Sequence, residues 1–342
     1  MMRLPLFSFR APRSLEEAAR ILHGEGPDAM PLAGGTDLLP NMKRRQQVPR
    51  TLLSLRNIDS LHAVHFDDPR ARLGACLTLS AIISDPRLRN GATALAQAAS
   101  QVATPHIRNV ATLGGNLCLD TRCNYYDQTY EWRKSINFCM KKDGVTCWVA
   151  PSSSKCMAVS STDTAPALMA LGARVRLVSH SGEREIPLAD LYNNDGMFYI
   201  HRKADEILTD VLLDSLHDWR STYWKLRRRG SFDFPVLSVA AAARFGGSGV
   251  VEDARIVIGS AASRPLLAEE AGRFLVGRAL SSETIAEAAA LAARIAKPLD
   301  NTDFDMSWRK KVTAEFVTYA LRELRGDDVT AERTAITRCP SV

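Results

Sequence analysis

Residues 104–117 read TPHIRNVATLGGNL, and residues 30–39 read MPLAGGTDLL, with their glycine pairs 80 positions apart. Both place two adjacent glycines among hydroxyl, amide and carboxylate side chains. Thr36 and Asp37 follow Gly34-Gly35; Thr112 precedes Gly114-Gly115 and Asn116 follows it. Glycines of this kind let backbone N–H groups come close to an anion. One pair alone reads equally well as a tight turn between two strands. Two pairs in one chain point to a single phosphate-bearing ligand gripped from two sides. Neither is a G-x-G-x-x-G opening a helix, so a nicotinamide site of the Rossmann type is not supported.

Directly after the second pair, residues 118–156 read CLDTRCNYYDQTYEWRKSINFCMKKDGVTCWVAPSSSKC and hold five of the seven cysteines. The stretch has little apolar periodicity and reads as a long loop without regular elements. Such a loop is uncommon in a compact domain unless something else orders it. Cys123, Cys139, Cys147 and Cys156 are separated by 15, 7 and 8 residues. Zinc ribbons and fingers use C-x₂-C pairs, which are missing here. Long gaps suit a cubane whose irons each take one thiolate from a different direction. Structural zinc and a pair of disulfides are the alternatives. Cys118 abuts the glycine motif and is placed beside that ligand; Cys76 and Cys339 read as core or tail residues. Tyr125, Tyr126, Tyr130 and Trp132 either cover the metal centre or form a partner face.

The rest of the composition narrows the function. The chain has 342 residues, 46% of them hydrophobic, and Lys plus Arg exceed Asp plus Glu by 44 − 38 = 6. This mild excess is too small to argue for nucleic acid. No apolar run approaches the roughly 18 residues of a membrane span. The N-terminus lacks the pattern of a secretory signal. An odd cysteine count in a chain of ordinary size fits reduced thiols and a cytoplasmic location.

Around these landmarks the pattern alternates strand and helix. Ser14-Leu15-Glu16-Glu17 is a capping box opening a helix to about residue 22. Strands are expected at 30–32, 51–55 and 72–75, helices from Thr78 and over about 91–102, and further strands at 173–178 and 207–213. Asp163 reads as a helix cap or as a ligand-binding carboxylate, with Gly172 closing that helix. Alternating and buried runs at 221–229, 236–245 and 254–259 precede a helical end, chiefly 282–296 and 307–325.

Together, Ala33-Gly34-Gly35-Thr36-Asp37-Leu38, Ala111-Thr112-Leu113-Gly114-Gly115-Asn116-Leu117, Thr162-Asp163 and Lys225 resemble the FAD-binding medium subunit of the xanthine dehydrogenase, or molybdenum hydroxylase, family. Most members pass from Gly-Gly-Asn to Ser/Thr-Asp over a far shorter span than the 47 positions from Asn116 to Asp163. The cysteine-bearing insert is similar to that of one branch, the β subunits of 4-hydroxybenzoyl-CoA reductases. The resemblance implies an α+β chain: a two-subdomain FAD-binding fold of the PCMH/vanillyl-alcohol oxidase type with an inserted iron-sulfur loop, plus an α+β C-terminal domain. Its parts would be FAD-binding subdomain 1 at 1–60, subdomain 2 at 61–219 with the insert at 118–158, and the C-terminal domain at 220–342.

The same resemblance implies site residues and partners. Leu32, Ala33, Gly34, Gly35, Thr36 and Asp37 would wrap the FAD diphosphate, with Gly34 to Thr36 the firmest. Val102, His106, Thr112, Gly115 and Asn116 would hold its other side, Thr162 and Asp163 its hydroxyls, and Ile207 and Lys225 the isoalloxazine. Cys123, Cys139, Cys147 and Cys156 would bind one [4Fe-4S] cluster. The expected partners are a molybdopterin-binding large subunit and a [2Fe-2S] small subunit, in a dimer of heterotrimers fed by ferredoxin. Substrate chemistry would lie in another chain. Other readings are the flavin subunit of an aldehyde or N-heterocycle dehydrogenase of xanthine type, and a structural subunit with a zinc-bound loop.

Overall fold

The computed structural model describes residues 3–337. Three sheets organise it. The first segment runs β1 (Ser8–Arg10), α1 (Leu15–Glu25), β2 (Ala29–Leu32), α2 (Leu38–Lys43) and β3 (Thr51–Ser54). Its strands form a parallel sheet in the order β1-β3-β2. The Ser14 hydroxyl accepts from the Glu17 amide at 3.1 Å and caps α1, as the sequence predicts. Ala18 and Leu22 then bury their stripe against Leu53, Leu55 and Ile58. Gly34-Gly35 does not join two strands. It links β2 to α2, and Gly35 takes φ +72°, a left-handed conformation that favours glycine.

The middle segment contains β4 (Val64–Asp67), β5 (Arg70–Gly74), α3 (Leu79–Ser84), α4 (Pro86–Gly91), α5 (Thr93–Ser100), α6 (Pro105–Arg108), α7 (Leu113–Leu117), α8 (Tyr130–Ser135), α9 (Thr164–Ala170), β6 (Arg174–Ser179), β7 (Gly182–Pro187) and β8 (Ile207–Leu213). The strands form an antiparallel sheet in the order β4-β5-β8-β6-β7. The alanine-rich helix expected over about 91–102 is found as α5, and a separate short helix, α4, precedes it. Asp85 and Pro86 start α4 separately, and the chain turns at Ala92 before α5 begins. Gly114-Gly115 also differs from the turn read in the sequence: it lies inside α7. The Thr112 hydroxyl caps that helix by accepting from the Gly115 amide at 3.1 Å. A Cβ on Gly114 would lie 2.8 Å from the Ala75 Cβ, so the glycine lets α7 pack directly on the chain after β5.

The cysteine stretch leaves the fold and returns to it at one point. Arg122 and Val159 exchange backbone hydrogen bonds of 2.8 and 2.7 Å. The insert between them is not wholly irregular: α8 forms there, capped by Thr129.

The last segment holds β9 (Arg220–Leu226), β10 (Leu237–Phe245), β11 (Val251–Gly259), β12 (Leu266–Leu267), α10 (Glu269–Leu275), α11 (Ser282–Arg294), α12 (Met306–Arg325) and α13 (Thr330–Thr337). Its antiparallel sheet, β12-β11-β10-β9, is covered on both faces. Tyr223, Ala240 and Ala242 join the core of the middle segment, whereas Trp224, Val239, Ala241 and Ala243 join the core under α11 and α12. Burial on both faces explains why β10 reads as a continuous apolar run and not as an alternation. The architecture is α+β. Among the described residues no helix is long and apolar enough to cross a membrane.

Candidate functional site: a glycine-lined cleft beside a four-cysteine recess

The two glycine motifs meet. A Cβ on Gly34 would lie 2.1 Å from the Val110 carbonyl oxygen, so glycine alone allows the loop after β2 to reach the chain before α7. A cavity of about 360 Å³ opens at this junction. Leu32 to Asp37 line it from the first motif, and Thr112, Gly115 and Asn116 from the second. Val102, Asp163 and Ile207 also face it. Among the described residues, the N–H groups of Gly34, Gly35 and Thr36 donate no hydrogen bond. Backbone donors normally find partners, so three together at a cleft suit an anionic ligand. The apolar surface of Val102, Ile107, Ile207 and Leu208 suits a ring system.

Three expected residues do not line the cleft. His106 is exposed on α6. Thr162 is buried, and its hydroxyl donates to Asn116 Oδ1 at 2.8 Å and caps α9 by accepting from the Ala165 amide. Asn116 Oδ1 also accepts from Thr164 N–H and Oγ1, so this oxygen locks α7 to α9. Thr162 thus does the capping that one reading of the sequence gives to Asp163. The Asp163 carboxylate turns instead to Lys225 Nζ at 2.9 Å and the Tyr223 hydroxyl at 2.7 Å. Lys225 is fully enclosed on β9, behind Asp163, and also donates to the Gln101 carbonyl. Burial pushes the Asp163 carboxyl up and the Lys225 ammonium down, and their mutual contact opposes both shifts.

On the far side of Asp120, the insert gathers its cysteines. Cys123, Cys139, Cys147 and Cys156 are free and buried. They line one narrow recess of about 10 Å³, against about 360 Å³ for the cleft. Burial pushes the Cys123 thiol up to about 12 and Cys156 to about 11. Among the described residues, no three His, Cys, Asp or Glu side chains are grouped to hold a metal ion. Tyr125 and Tyr126 line the recess, whereas Tyr130 and Trp132 are exposed and do not, so the aromatic residues divide between covering and surface positions. Cys118 lines the cleft and not the recess, and Cys76 lies buried on the cleft wall. Cys339 lies outside the described residues.

The sequence reading missed several cleft residues. Arg122 enters from the insert, pairs with Asp37 and Asp127, and stacks 4.2 Å from the Phe234 ring centre. Burial pushes the Asp37 carboxyl up against the pull of Arg122. Tyr199, Arg202, Glu206 and the loop bearing Phe232 and Phe234 complete the rim. The run Asp120-Thr121-Arg122, just after the second glycine motif, is the sequence signal for Arg122; Tyr199, Arg202, Glu206, Phe232 and Phe234 carry none.

Comparison with known proteins identifies this arrangement. Residues 5–213 match the family described as FAD binding domain in molybdopterin dehydrogenase, and residues 221–324 the CO dehydrogenase flavoprotein C-terminal domain. The chain belongs to the FAD-binding medium-subunit family of molybdenum hydroxylases, and it is an oxidoreductase subunit that binds FAD. It is 30% identical to the nicotinate dehydrogenase FAD-subunit of Eubacterium barkeri, over 82% of each chain. It is 31% identical to the aldehyde oxidoreductase FAD-binding subunit of Escherichia coli K12, over 72% of this chain and 78% of that one. The structure of a Cu,Mo-CO dehydrogenase in its cyanide-inactivated form superposes with a TM-score of 0.78 at 26% identity, covering 95% of this chain and 99% of that one.

Proposed function

We propose that this chain is the electron-transfer subunit of a molybdenum hydroxylase-type complex, carrying FAD in the cleft and a [4Fe-4S] cluster in the recess. The observation that carries the reading is the convergence of four buried, unpaired thiols on one recess beside the flavin cleft. Four thiols are a soft donor set suited to iron–sulfur clusters or zinc. Zinc needs its thiolates about 2.3 Å from one point; thiols spread around a recess suit a cubane, where each meets a different iron. Cluster binding also supplies the folding free energy that so long an insert needs.

In this reading the free amides of Gly34, Gly35 and Thr36 hold the FAD diphosphate, with Gly115 keeping the approach open. Val102 and Ile207 give the ring an apolar bed and exclude water. Asp163, fixed by Lys225 and Tyr223, presents a carboxylate to cofactor hydroxyls. FAD itself supplies an acceptor that takes up electrons in pairs and passes them on singly. The similarity of the insert to 4-hydroxybenzoyl-CoA reductase β subunits supports reductive dehydroxylation of 4-hydroxybenzoyl-CoA, with electrons arriving from ferredoxin. Molybdopterin and [2Fe-2S] subunits, a dimer of heterotrimers and a cytoplasmic location complete the proposal. The relatives favour a second reading, dehydrogenation of an aldehyde or an N-heterocycle.

Two measurements test this. Iron and sulfide analysis of the purified chain should return about four of each, with a flavin spectrum; one zinc and no iron refutes the cluster. Turnover of 4-hydroxybenzoyl-CoA by the co-purified complex decides the substrate, and a complex that oxidises aldehydes while ignoring the thioester defeats the first choice.

A further inference from the structure

Asp120 is the wall between the two spaces. Asp120 lines the flavin cleft, and both of its carboxylate oxygens are bonded to residues that line the recess. Oδ1 accepts from Lys141 Nζ at 2.8 Å, and Oδ2 from the Tyr126 hydroxyl at 3.1 Å. Lys141 spends its other two protons on Thr121 Oγ1 and the Gly196 carbonyl, each at 2.7 Å. With all three donors engaged, the ammonium cannot swing out to solvent, and both members of the pair are almost wholly enclosed. The ammonium also lies 4.8 Å from the ring centre of Tyr126, which lines the recess, and 5.4 Å from that of Tyr199, which lines the cleft. Its tie to the cysteines is short. Gly196, whose carbonyl it binds, donates to the Cys156 carbonyl at 2.8 Å, and a Cβ on Gly196 would lie 2.9 Å from Cys156 Sγ.

We infer that Lys141, fixed by Asp120, is a positioning residue that sets the reduction potentials of the centres on both sides of this wall. The inference rests on the cluster reading above. A unit charge held in an enclosed site acts at a strength that water would quench. Reduction adds negative charge to a thiolate-bound cluster on one side and to a flavin on the other. The ammonium favours the reduced form of each, and Asp120, paired with it, moderates the effect on both sides. A purely structural lysine would hold the insert closed without moving either potential.

The test is a mediated redox titration of the full chain as purified without oxygen, following the flavin by absorbance and the cluster by its paramagnetic resonance. Lys141→Met should make reduction of the cluster at least tenfold less favourable, a downward shift of about 59 mV or more for one electron. The flavin potential should fall with it. Asp120→Asn should raise both potentials, and Lys141→Arg should leave both within a small shift of the parent. If Lys141→Met does not retain its iron, the Asp120→Asn/Lys141→Met double variant removes both charges together. Its potentials should lie below those of Asp120→Asn protein, and equal potentials in the two overturn the inference. Unmoved potentials in Lys141→Met or Asp120→Asn protein with full iron and flavin overturn this inference alone. A parent chain that holds no iron overturns the cluster reading and this inference with it.

Discussion

The flavin cleft and the cysteine recess share one wall at Asp120, yet the chain shapes them by opposite means. The cleft is a backbone construction. Its two glycine motifs approach within contact distance because Gly34 has no Cβ, Gly114 lets α7 pack on the chain after β5 for the same reason, and continuous apolar cores lie beneath them. The insert has only a small apolar cluster around Cys123, Tyr126, Cys139, Cys156 and Ala158. Buried polar groups brace the rest. Arg133 donates to the Lys142 carbonyl at 2.6 Å and to Asp143 at 3.1 Å; Gln46 donates to the Tyr126 carbonyl at 2.8 Å. Steric fit therefore governs the cleft, whereas charge pairing and buried hydrogen bonds brace the insert. The two should fail independently.

Gly34→Val should have the largest effect. The new side chain starts 2.1 Å from a backbone oxygen, so the loops must part. We expect a flavin-free chain destabilised by more than about 4 kcal/mol, read from flavin absorbance and from thermal unfolding. Gly115→Ala sharpens the point, because its Cβ meets only the Thr112 hydroxyl, at 2.9 Å. That protein should fold and bind flavin weakly. A Gly34→Val protein that purifies yellow and stable would show that close loop approach does not shape the cleft.

Cys139→Ser should empty the recess and spare the cleft: iron and sulfide lost, flavin occupancy near that of the parent. Loss of both together would mean that the insert and the cleft form one cooperative unit. Arg133→Ala comes next. Removing the guanidinium should loosen the insert by roughly 2–3 kcal/mol, visible as faster protease nicking between residues 123 and 158 with the flavin spectrum unchanged. Equal protease resistance would remove the brace from the account.

The smallest effect belongs to the cleft rim. Burial would raise the Glu206 carboxyl, but hydrogen bonds from Arg184 and the Lys203 amide outweigh it and hold it below its ordinary 4.5. A depressed folded-state value means that this contribution to stability is present above 4.5 and fades as the pH falls below it. Glu206→Gln should therefore cost roughly 1–2 kcal/mol at pH 7 and progressively less as the pH falls below 4.5, for instance at pH 3. Parallel denaturation curves at the two pH values check this; a gap that persists in acid would assign the loss to shape and not to charge.

Much of this was readable in one dimension. The Ser14 capping box, the strands around residues 30, 52 and 210, and the long C-terminal helices follow from local pattern and are found close to where that pattern puts them. Both glycine motifs stood out in the sequence, and at Gly34 and Gly114 a Cβ has no room. Pairings across long separations were not. Arg122 with Asp37, and Asp120 with Lys141, join residues whose proximity no local rule encodes. Local preference left Asp163 open between cap and ligand-binding carboxylate; it stands at the N-cap position of α9 but makes no cap bond, because the buried ammonium of Lys225 draws its carboxylate away.

The sequence by itself determined which residues make backbone shape: glycines where a Cβ has no room, cap residues where a helix begins, and apolar runs where both faces of a sheet are covered. It also determined that one long passage carries the thiols. The division of the thiols, with Cys118 at the cleft and the other four at the recess, was read from the sequence and is found so; only the tertiary structure decided that the cleft and the recess lie back to back. It decided likewise that a single carboxylate, Asp120, divides the two spaces. The reason is physical. Shape preferences are local and survive in any context, whereas the pairing of buried charges depends on which distant segments the folded cores bring together.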